Sequence, residues 1–291
     1  MDCGPTEDNG LMHRAAVLGH PVAHSLSPVL HRAAYVALDL DWSYEAVDVD
    51  EPELAAFVSS LGDEWAGLSL TMPLKPEAAR LADFVEPQAR LLGTVNTLVP
   101  AGKGEYRHWV GANTDIYGMT AAFAEAGAVR VDEAVIVGGG ATAISAMATL
   151  ATMGAPAPHV LVRDKARAGA LMRAASRMGV RPRFLAIASR EALAALSQAD
   201  AVMSTVPAEA GAALAARLRD SSFRVHGVLL DAVYVPVNTP LSLSWGELGG
   251  VSVSGVRMLL HQAGEQVRLM TGQVAPLEAM DRALAVVLTN S

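Results

Sequence analysis

The stretch Glu133-Ala134-Val135-Ile136-Val137-Gly138-Gly139-Gly140-Ala141-Thr142-Ala143, an Ala- and Met-rich segment after it, and then His159-Val160-Leu161-Val162-Arg163-Asp164 decide the fold of this chain. A short β-branched run enters a glycine turn, a helical pattern follows, and a second β-branched run closes the unit. Strand–helix–strand units of this kind bind dinucleotides. Gly138 permits the tight turn out of the strand. Gly140 lets the backbone approach a pyrophosphate, whose charge is favoured by free N–H groups at a helix N-terminus. Ala143 takes the third small position, where strand and helix pack closely, and Gly154 ends the helix as a C-cap. Glycine turns also join strands to helices in proteins that bind nothing. The pattern therefore takes its weight from the strand before it and the helix after it.

Composition bounds the rest. With 52% apolar and 18% charged residues over 291 positions, the chain has material for a sizeable core and room for two compact domains. A formal net charge of −8 argues against nucleic acid or an anionic membrane as a general partner. Any anionic ligand must be met by local cations and backbone amides. Cys3 is the single cysteine, which excludes an internal disulfide and a cysteine-based metal cluster. The leader to Met12 carries Asp2, Glu7 and Asp8 without an apolar run, so residues 1–13 read as a disordered leader and not as a secretory signal. No apolar stretch reaches the roughly 20 residues of a membrane span uninterrupted, and the expected location is cytoplasmic. His13, His20, His24, His108 and His261 show no metal-ligand spacing, so no metal is expected. His24 reads first as a hydrogen-bonded structural histidine and second as a residue lining the substrate pocket.

Ahead of the glycine unit, Ala15-Ala16-Val17-Leu18-Gly19 reads as a buried strand. Ser27 before Pro28 is a helix start, with the hydroxyl as N-cap and proline at the first position of a helix over 29–38. Ser25 and Ser27 also present hydroxyls at a positive helix end, suited to a carboxylate. Strands follow over 42–47 and 66–71, with a helix between them capped by Asp50. Lys75 falls between prolines where the second of these strands gives way to a helix over 76–84. The segment 92–99 patterns as a strand with Asn96 as its conspicuous polar member, and 108–111 returns as a hairpin partner. A helix over 116–127 leads into the glycine unit. Beyond it, 183–187, 201–205 and 228–230 are continuous apolar runs, as in a parallel sheet covered on both faces. Near the C-terminus Val256, Leu259, Leu260, Ala263, Val267 and Met270 share one helical face. His261 and Gln262 fall outside that stripe.

Together the polar residues resemble the shikimate dehydrogenase family. The motifs carrying the resemblance are Gly19-His20-Pro21-Val22-Ala23-His24-Ser25-Leu26-Ser27-Pro28, Ser69-Leu70-Thr71-Met72-Pro73-Leu74-Lys75, Val95-Asn96-Thr97-Leu98 and Asn113-Thr114-Asp115. After the glycine turn come Asp231-Ala232-Val233-Tyr234-Val235-Pro236 and Ser254-Gly255-Val256-Arg257-Met258-Leu259-Leu260-His261-Gln262. The resemblance implies interconversion of 3-dehydroshikimate and shikimate with NADP, in the biosynthesis of chorismate and the aromatic amino acids. It implies Lys75 and Asp115 as catalytic residues, and Ser25, Ser27, Thr71, Asn96, Asp115, Tyr234 and Gln262 as substrate contacts. Gly138, Gly139, Gly140, Ala141, Thr142, Arg163, Arg167, Ala232 and Gly255 are the implied cofactor residues. The implied fold is α/β with two domains: an α/β substrate domain over 14–114 and 256–291, and a Rossmann-type dinucleotide domain over 115–255 inserted in it. The partner is then a small-molecule substrate, with the chain a monomer or homodimer.

The chemistry explains these residue types. Hydride delivery to a ketone builds negative charge on oxygen, which a proton or positive donor must meet. A lysine ammonium does both, and a neighbouring carboxylate holds it in place. Two departures from the family pattern bear on function. Ser69 stands where the family commonly has Asn. Val162-Arg163-Asp164 stands where the family's NADP signature is usually Asn-Arg-Thr, so Asp164 opposes the 2′-phosphate that Arg163 and Arg167 attract, or binds a free ribose hydroxyl as in NAD sites. Three rival readings follow: an NAD-preferring quinate/shikimate dehydrogenase, a redox-inactive binding module, and an enzyme like methylene-tetrahydrofolate dehydrogenase. The last is disfavoured by the Ser25/Ser27 and Gln262 motifs.

Overall fold

A computed structural model of the chain describes residues 12–289. Cys3 and the leader to residue 11 lie outside the described residues, as does the side chain of Arg167. His13, assigned to the leader from sequence, is already the first residue of a strand.

Strands β1 (His13–Gly19), β2 (Trp42–Asp48), β3 (Trp65–Leu70), β4 (Phe84–Val85), β5 (Thr97–Ala101) and β6 (His108–Ala112) form one sheet in the order β2-β1-β3-β5-β6-β4. The first three are mutually parallel, and β5 runs antiparallel to both β3 and β6. Strands β7 (Ala134–Val137), β8 (His159–Val162), β9 (Arg183–Ala186), β10 (Ala201–Ser204), β11 (Val228–Asp231) and β12 (Val251–Ser254) form a second sheet, parallel throughout. Its order, β12-β11-β10-β7-β8-β9, is the doubly wound 3-2-1-4-5-6 arrangement read from its other edge.

The helices are α1 (Ser27–Ala37), α2 (Leu54–Ser59), α3 (Lys75–Leu81), α4 (Pro87–Leu92), α5 (Asp115–Glu125), α6 (Ala141–Thr152), α7 (Gly169–Met178), α8 (Arg190–Gln198), α9 (Ala208–Arg219), α10 (Pro240–Glu247), α11 (Gly255–Thr271) and α12 (Leu277–Thr289). Their placement accounts for the unbroken apolar runs. Successive strand residues face opposite sides. In β1, Ala16 and Leu18 pack with Leu54, Leu74 and Ala78, whereas Ala15 and Val17 pack with Leu30, Ala34, Leu260 and Leu284. In the second sheet Ile136, Val160 and Met203 meet α5, α6 and α7, while Val135, Leu161 and Val202 meet α8, α9 and α10. Both faces are covered, so alternation disappears. The C-terminal helices α11 and α12 lie on the first sheet, as expected from the resemblance.

Several local expectations shift. The expected strand over 92–99 is instead the end of α4, a crossing, and β5. Gly93 adopts a left-handed φ of 71°, which stops the helix, and Val95 donates to the Lys75 carbonyl at 2.9 Å before pairing begins. Helix α3 stops at Leu81 because Ala82 turns extended, and Phe84–Val85 pairs with β6. Asp50 and Glu53 exchange side chain–backbone hydrogen bonds at 3.3 and 3.2 Å, a capping box one turn ahead of a helix shorter than expected. Helix α6 caps at Met153, with Gly154 one residue beyond. Helices α4, α7, α9 and α10 and strand β12 went unread. The Ala-rich α9 carries little apolar contrast, α7 buries only Leu171, Ala174 and Ala175 on a face rich in small residues, and β12 is half-exposed at a sheet edge.

Candidate active site

The chain passes between the sheets at α5 and again at α11, and these helices pack on each other. At Gly118 a Cβ would stand 2.7 Å from the Met258 carbonyl oxygen and 2.8 Å from Gln262 Cβ, so only glycine admits this approach. Beside this crossing lies a cavity of about 430 Å³. It is lined by all eight residues expected to touch substrate or do chemistry: Ser25, Ser27, Thr71, Lys75, Asn96, Asp115, Tyr234 and Gln262.

Lys75 and Asp115 each begin a helix, α3 and α5. Lys75 Nζ donates to Asp115 Oδ2 at 2.5 Å, and the two side chains are only 12% and 4% exposed. Asp115 Oδ1 accepts from Asn96 Nδ2 at 2.9 Å, and the Asp115 backbone N–H donates to Asn113 Oδ1 at 3.1 Å. Asn113 in turn donates to the Thr94 carbonyl at 3.1 Å and to Ser145 on α6 at 3.3 Å, tying the pair to both units. The carboxylate is thus held by an ammonium, a side-chain amide and a helix N-terminus, all of which favour its charge.

The serine loop departs from its expected geometry. Ser27 is the first helical residue of α1 and not its cap, and its backbone N–H donates to Ser25 Oγ at 3.3 Å. Leu26 holds the cap position without a side-chain cap, and Ser25 meets the first helical N–H from outside it. Among the described residues nothing bonds to the buried Ser27 hydroxyl, which keeps its hydrogen for the cavity. At the rim, His20 Nδ1 and Asp48 Oδ1 are 2.6 Å apart, and Asp48 Oδ2 accepts from Val22 N at 3.4 Å. The hydrogen bond to Asp48 holds His20 above its ordinary value. His24 lines the cavity as an exposed residue, so the pocket reading holds over the structural one. Burial pushes the Tyr234 hydroxyl upward, so it stays protonated.

A second, larger cavity of about 1040 Å³ runs along the C-terminal ends of β7, β8, β9 and β10, where open α/β sheets place ligands. Gly138, Gly139, Gly140, Arg163 and Asp164 line it. Gly138 has φ of 120° and a Cβ there would collide with Thr205 Oγ1, whereas a Cβ on Gly140 would meet nothing within 4 Å. Helix α6 has no side-chain cap, so its first N–H groups have no intrahelical partner. Thr142, Ala232 and Gly255 line the first cavity and not the groove, while Ala141 lines neither. The N-terminus of α6 thus stands between the two spaces. Asp164 Oδ1 accepts from Ala166 N at 2.9 Å, capping a short 3₁₀ turn, which commits one carboxylate oxygen to the backbone. Arg163 is exposed beside it.

Sequence reasoning missed Gln266 and Met258 in the first cavity and Glu209 and Arg217 in the groove. Only Gln266 had a signal, its position one helical turn beyond Gln262. His261 and Gln262, outside the apolar stripe of α11, are buried all the same, because that face packs on α5. Among the described residues no group of three or more His, Cys, Asp or Glu is placed to hold a metal, and no helix is long and apolar enough to cross a membrane.

A doubly wound parallel sheet with a glycine turn at its switch point, joined to a second α/β unit across a Lys–Asp cavity, defines a two-unit protein of the dinucleotide-binding class. Residues 17–98 match the shikimate dehydrogenase substrate binding domain, and residues 255–285 match the shikimate 5′-dehydrogenase C-terminal domain. The shikimate dehydrogenase (NADP(+)) of Methanothermobacter thermautotrophicus is 32% identical, over 97% of this chain and 99% of that protein. The crystal structure of Mycobacterium tuberculosis shikimate dehydrogenase is 42% identical with a TM-score of 0.83, covering 94% of this chain and 99% of that one. The Thermus thermophilus enzyme in complex with NADP(H) and shikimate is 30% identical with a TM-score of 0.78, over 94% and 99% of the two chains. The chain belongs to the shikimate dehydrogenase family.

Proposed function

We propose that the chain catalyses the reversible NADPH-dependent reduction of 3-dehydroshikimate to shikimate, in the biosynthesis of chorismate and the aromatic amino acids. The observation that carries this reading is the Lys75–Asp115 pair at 2.5 Å, nearly buried in a cavity that Thr142, Ala232 and Gly255 complete from the opposite unit. On this reading residues 14–114 and 256–291 bind substrate and residues 115–255 bind the dinucleotide.

The groove suits a dinucleotide. Gly140 leaves room for a pyrophosphate beside the free N–H groups of α6. Arg163 supplies the cation that a 2′-phosphate needs, and Asp164 turns one carboxylate oxygen back to its own backbone. NADP is therefore the cofactor of choice. The chemistry it supplies when bound is hydride for the carbonyl carbon.

The protein's own residues do the rest. Lys75 Nζ gives a proton to the carbonyl oxygen as charge builds there, and takes it back in the oxidative direction. Asp115 keeps the ammonium in place and supports its charge between turnovers. The hydroxyls of Ser25 and Ser27 take the substrate carboxylate, Ser27 with a hydrogen uncommitted to the protein. Thr71, Asn96, Tyr234 and Gln262 orient the ring hydroxyls.

Steady-state kinetics of the wild type and a Lys75→Ala variant test the proposal. The variant should lose about two to four powers of ten in kcat, the usual scale for one acid–base group, while circular dichroism shows it still folded at the assay temperature. Wild-type protein that binds shikimate without shikimate-dependent NADPH formation, from neutral to alkaline pH, would make the chain a binding module instead.

A further inference from the structure

Gln262 and Gln266 lie one turn apart on α11 and both line the substrate cavity, yet their hydrogen bonding differs. Gln262 makes only long contacts: Nε2 to the Leu259 carbonyl at 3.3 Å, and Oε1 from Asn96 Nδ2 and Thr114 Oγ1 at 3.4 Å each. Such an amide is free to turn to a ligand. Gln266 is 2% exposed and fully committed. Its Nε2 donates to the Asn96 carbonyl at 3.2 Å and to Thr97 Oγ1 at 3.0 Å. Its Oε1 accepts from Ser69 Oγ at 2.9 Å and meets His31 Nε2 at 3.3 Å.

A backbone carbonyl only accepts, so the Asn96 oxygen decides which end of the Gln266 amide carries hydrogens. His31 therefore bears its proton on Nε2, and its Nδ1 accepts from the Tyr35 hydroxyl at 3.3 Å. Ser69 gives its hydrogen to Gln266 and accepts from Tyr44 Oη at 2.6 Å. It then faces the cavity with a lone pair and no hydrogen. On the other side Thr97, having accepted from Gln266, donates to Asn96 Oδ1 at 2.9 Å, which also takes the Thr114 N–H at 2.8 Å. Both acceptor sites of Asn96 are filled, so its Nδ2 is turned to Asp115.

We propose that Gln266 is a positioning residue for the reaction and, through Ser69, a determinant of substrate choice. With no hydrogen-bonding capacity left, it does not bind substrate. It keeps Ser69 an acceptor-only wall, which selects a ligand hydroxyl able to donate, and it braces the Asn96 amide against Asp115. The inference rests on the shikimate dehydrogenase reading above and deepens it.

Two variants test it, with shikimate, NADP and shikimate analogues each lacking one ring hydroxyl. Gln266→Met keeps length and removes all four hydrogen bonds. Gln266→Glu keeps the acceptor half and, while protonated, one donor. His31, Tyr35 and Tyr44 face position 266 from α1 and β2, and Asp115 and Lys75 lie beyond Asn96. Burial leaves His31 neutral and both tyrosines protonated over the working range, so a new pH limb would report the introduced carboxyl. For Gln266→Met, kcat/KM for shikimate should fall about 10- to 100-fold with KM for NADP unchanged. Its preference for shikimate over one deoxy analogue should collapse. Gln266→Glu should work near the wild-type rate at the acid end of the profile and fail as pH rises, a limb absent from the wild type. Should the methionine variant not fold, the limb of the glutamate variant decides. Wild-type kcat/KM and an unaltered pH profile in folded variants would overturn the proposal, as would lost thermal stability with kinetic constants unchanged. Failure of the underlying reading is distinguishable, since wild-type protein would then lack shikimate-dependent NADP reduction.

Discussion

His31 makes the stability of this protein sensitive to acid in a calculable way. Its ring is wholly buried, stacked on Tyr44 with centroids 3.9 Å apart, and its two nitrogens meet only the neutral Tyr35 hydroxyl and Gln266 amide. Burial lowers its pKa from 6.5 to about 3. The unfolded chain takes up a proton on this residue near pH 6.5 and the folded chain does not until about pH 3. Between those values the unfolded state binds more protons, so stability falls as pH drops. Each pH unit costs about 1.4 kcal/mol, hence about 3 kcal/mol at two units below 6.5. That is a large share of the roughly 5–15 kcal/mol that holds a domain folded. His31→Phe keeps the stack and removes the titration. At neutral pH it should be weaker than wild type by about 1–3 kcal/mol, because the Tyr35 hydroxyl and one Gln266 lone pair lose their partner. Urea unfolding at a series of pH values should show the two stabilities converging on acidification and crossing at about pH 4.4 to 5.8, an order-of-magnitude placement from the same slope. A difference that stays constant from neutral pH to two units below 6.5 would refute the reasoning.

Other perturbations follow from the geometry. Arg163→Ala should weaken NADP by about 10- to 100-fold, the scale of a charged hydrogen bond, and leave NAD nearly unaffected; equal losses in the two KM values would remove Arg163 from phosphate recognition. Gly118→Ala gains about 1 kcal/mol of helix propensity. It also forces a Cβ to within 2.7 Å of the Met258 carbonyl, an overpacking cost of about 1–3 kcal/mol. The net result should be a lower melting temperature and a raised KM for shikimate, because Met258 and Gln262 line the cavity; wild-type values of both would show that α5 and α11 part without consequence.

Much of the fold was legible because its signals are local. The run over 15–19, the glycine turn at 138–140 and the apolar strands of the second sheet each report on a few consecutive residues, and the structure keeps them all as strands and turn. The segment 92–99 misled for the opposite reason. Its apolar residues serve first a helix and then a strand, and the break is a backbone conformation at Gly93 that hydropathy does not encode. At the site, residue types pointed to Lys75, Asp115 and the serines, but roles within the motif exchanged. Ser25, not Ser27, meets the first helical N–H, and the Ser27 hydroxyl is left to the cavity, because Leu26 occupies the cap position.

By itself the sequence determined that the chain is a two-unit α/β protein with a dinucleotide turn, and which residue types converge on its chemistry. Those follow from periodicity, glycine stereochemistry and motif order, all properties of short segments. Only the tertiary structure decided that Gln262 is loosely bonded to Asn96 and Thr114 while Gln266 is saturated. These depend on which groups meet across elements far apart in the chain, as Ser69 and Gln266 do over 197 positions. Hydrogen-bond capacity is settled by such meetings, because a donor or acceptor is available to a ligand only when no neighbour has already filled it.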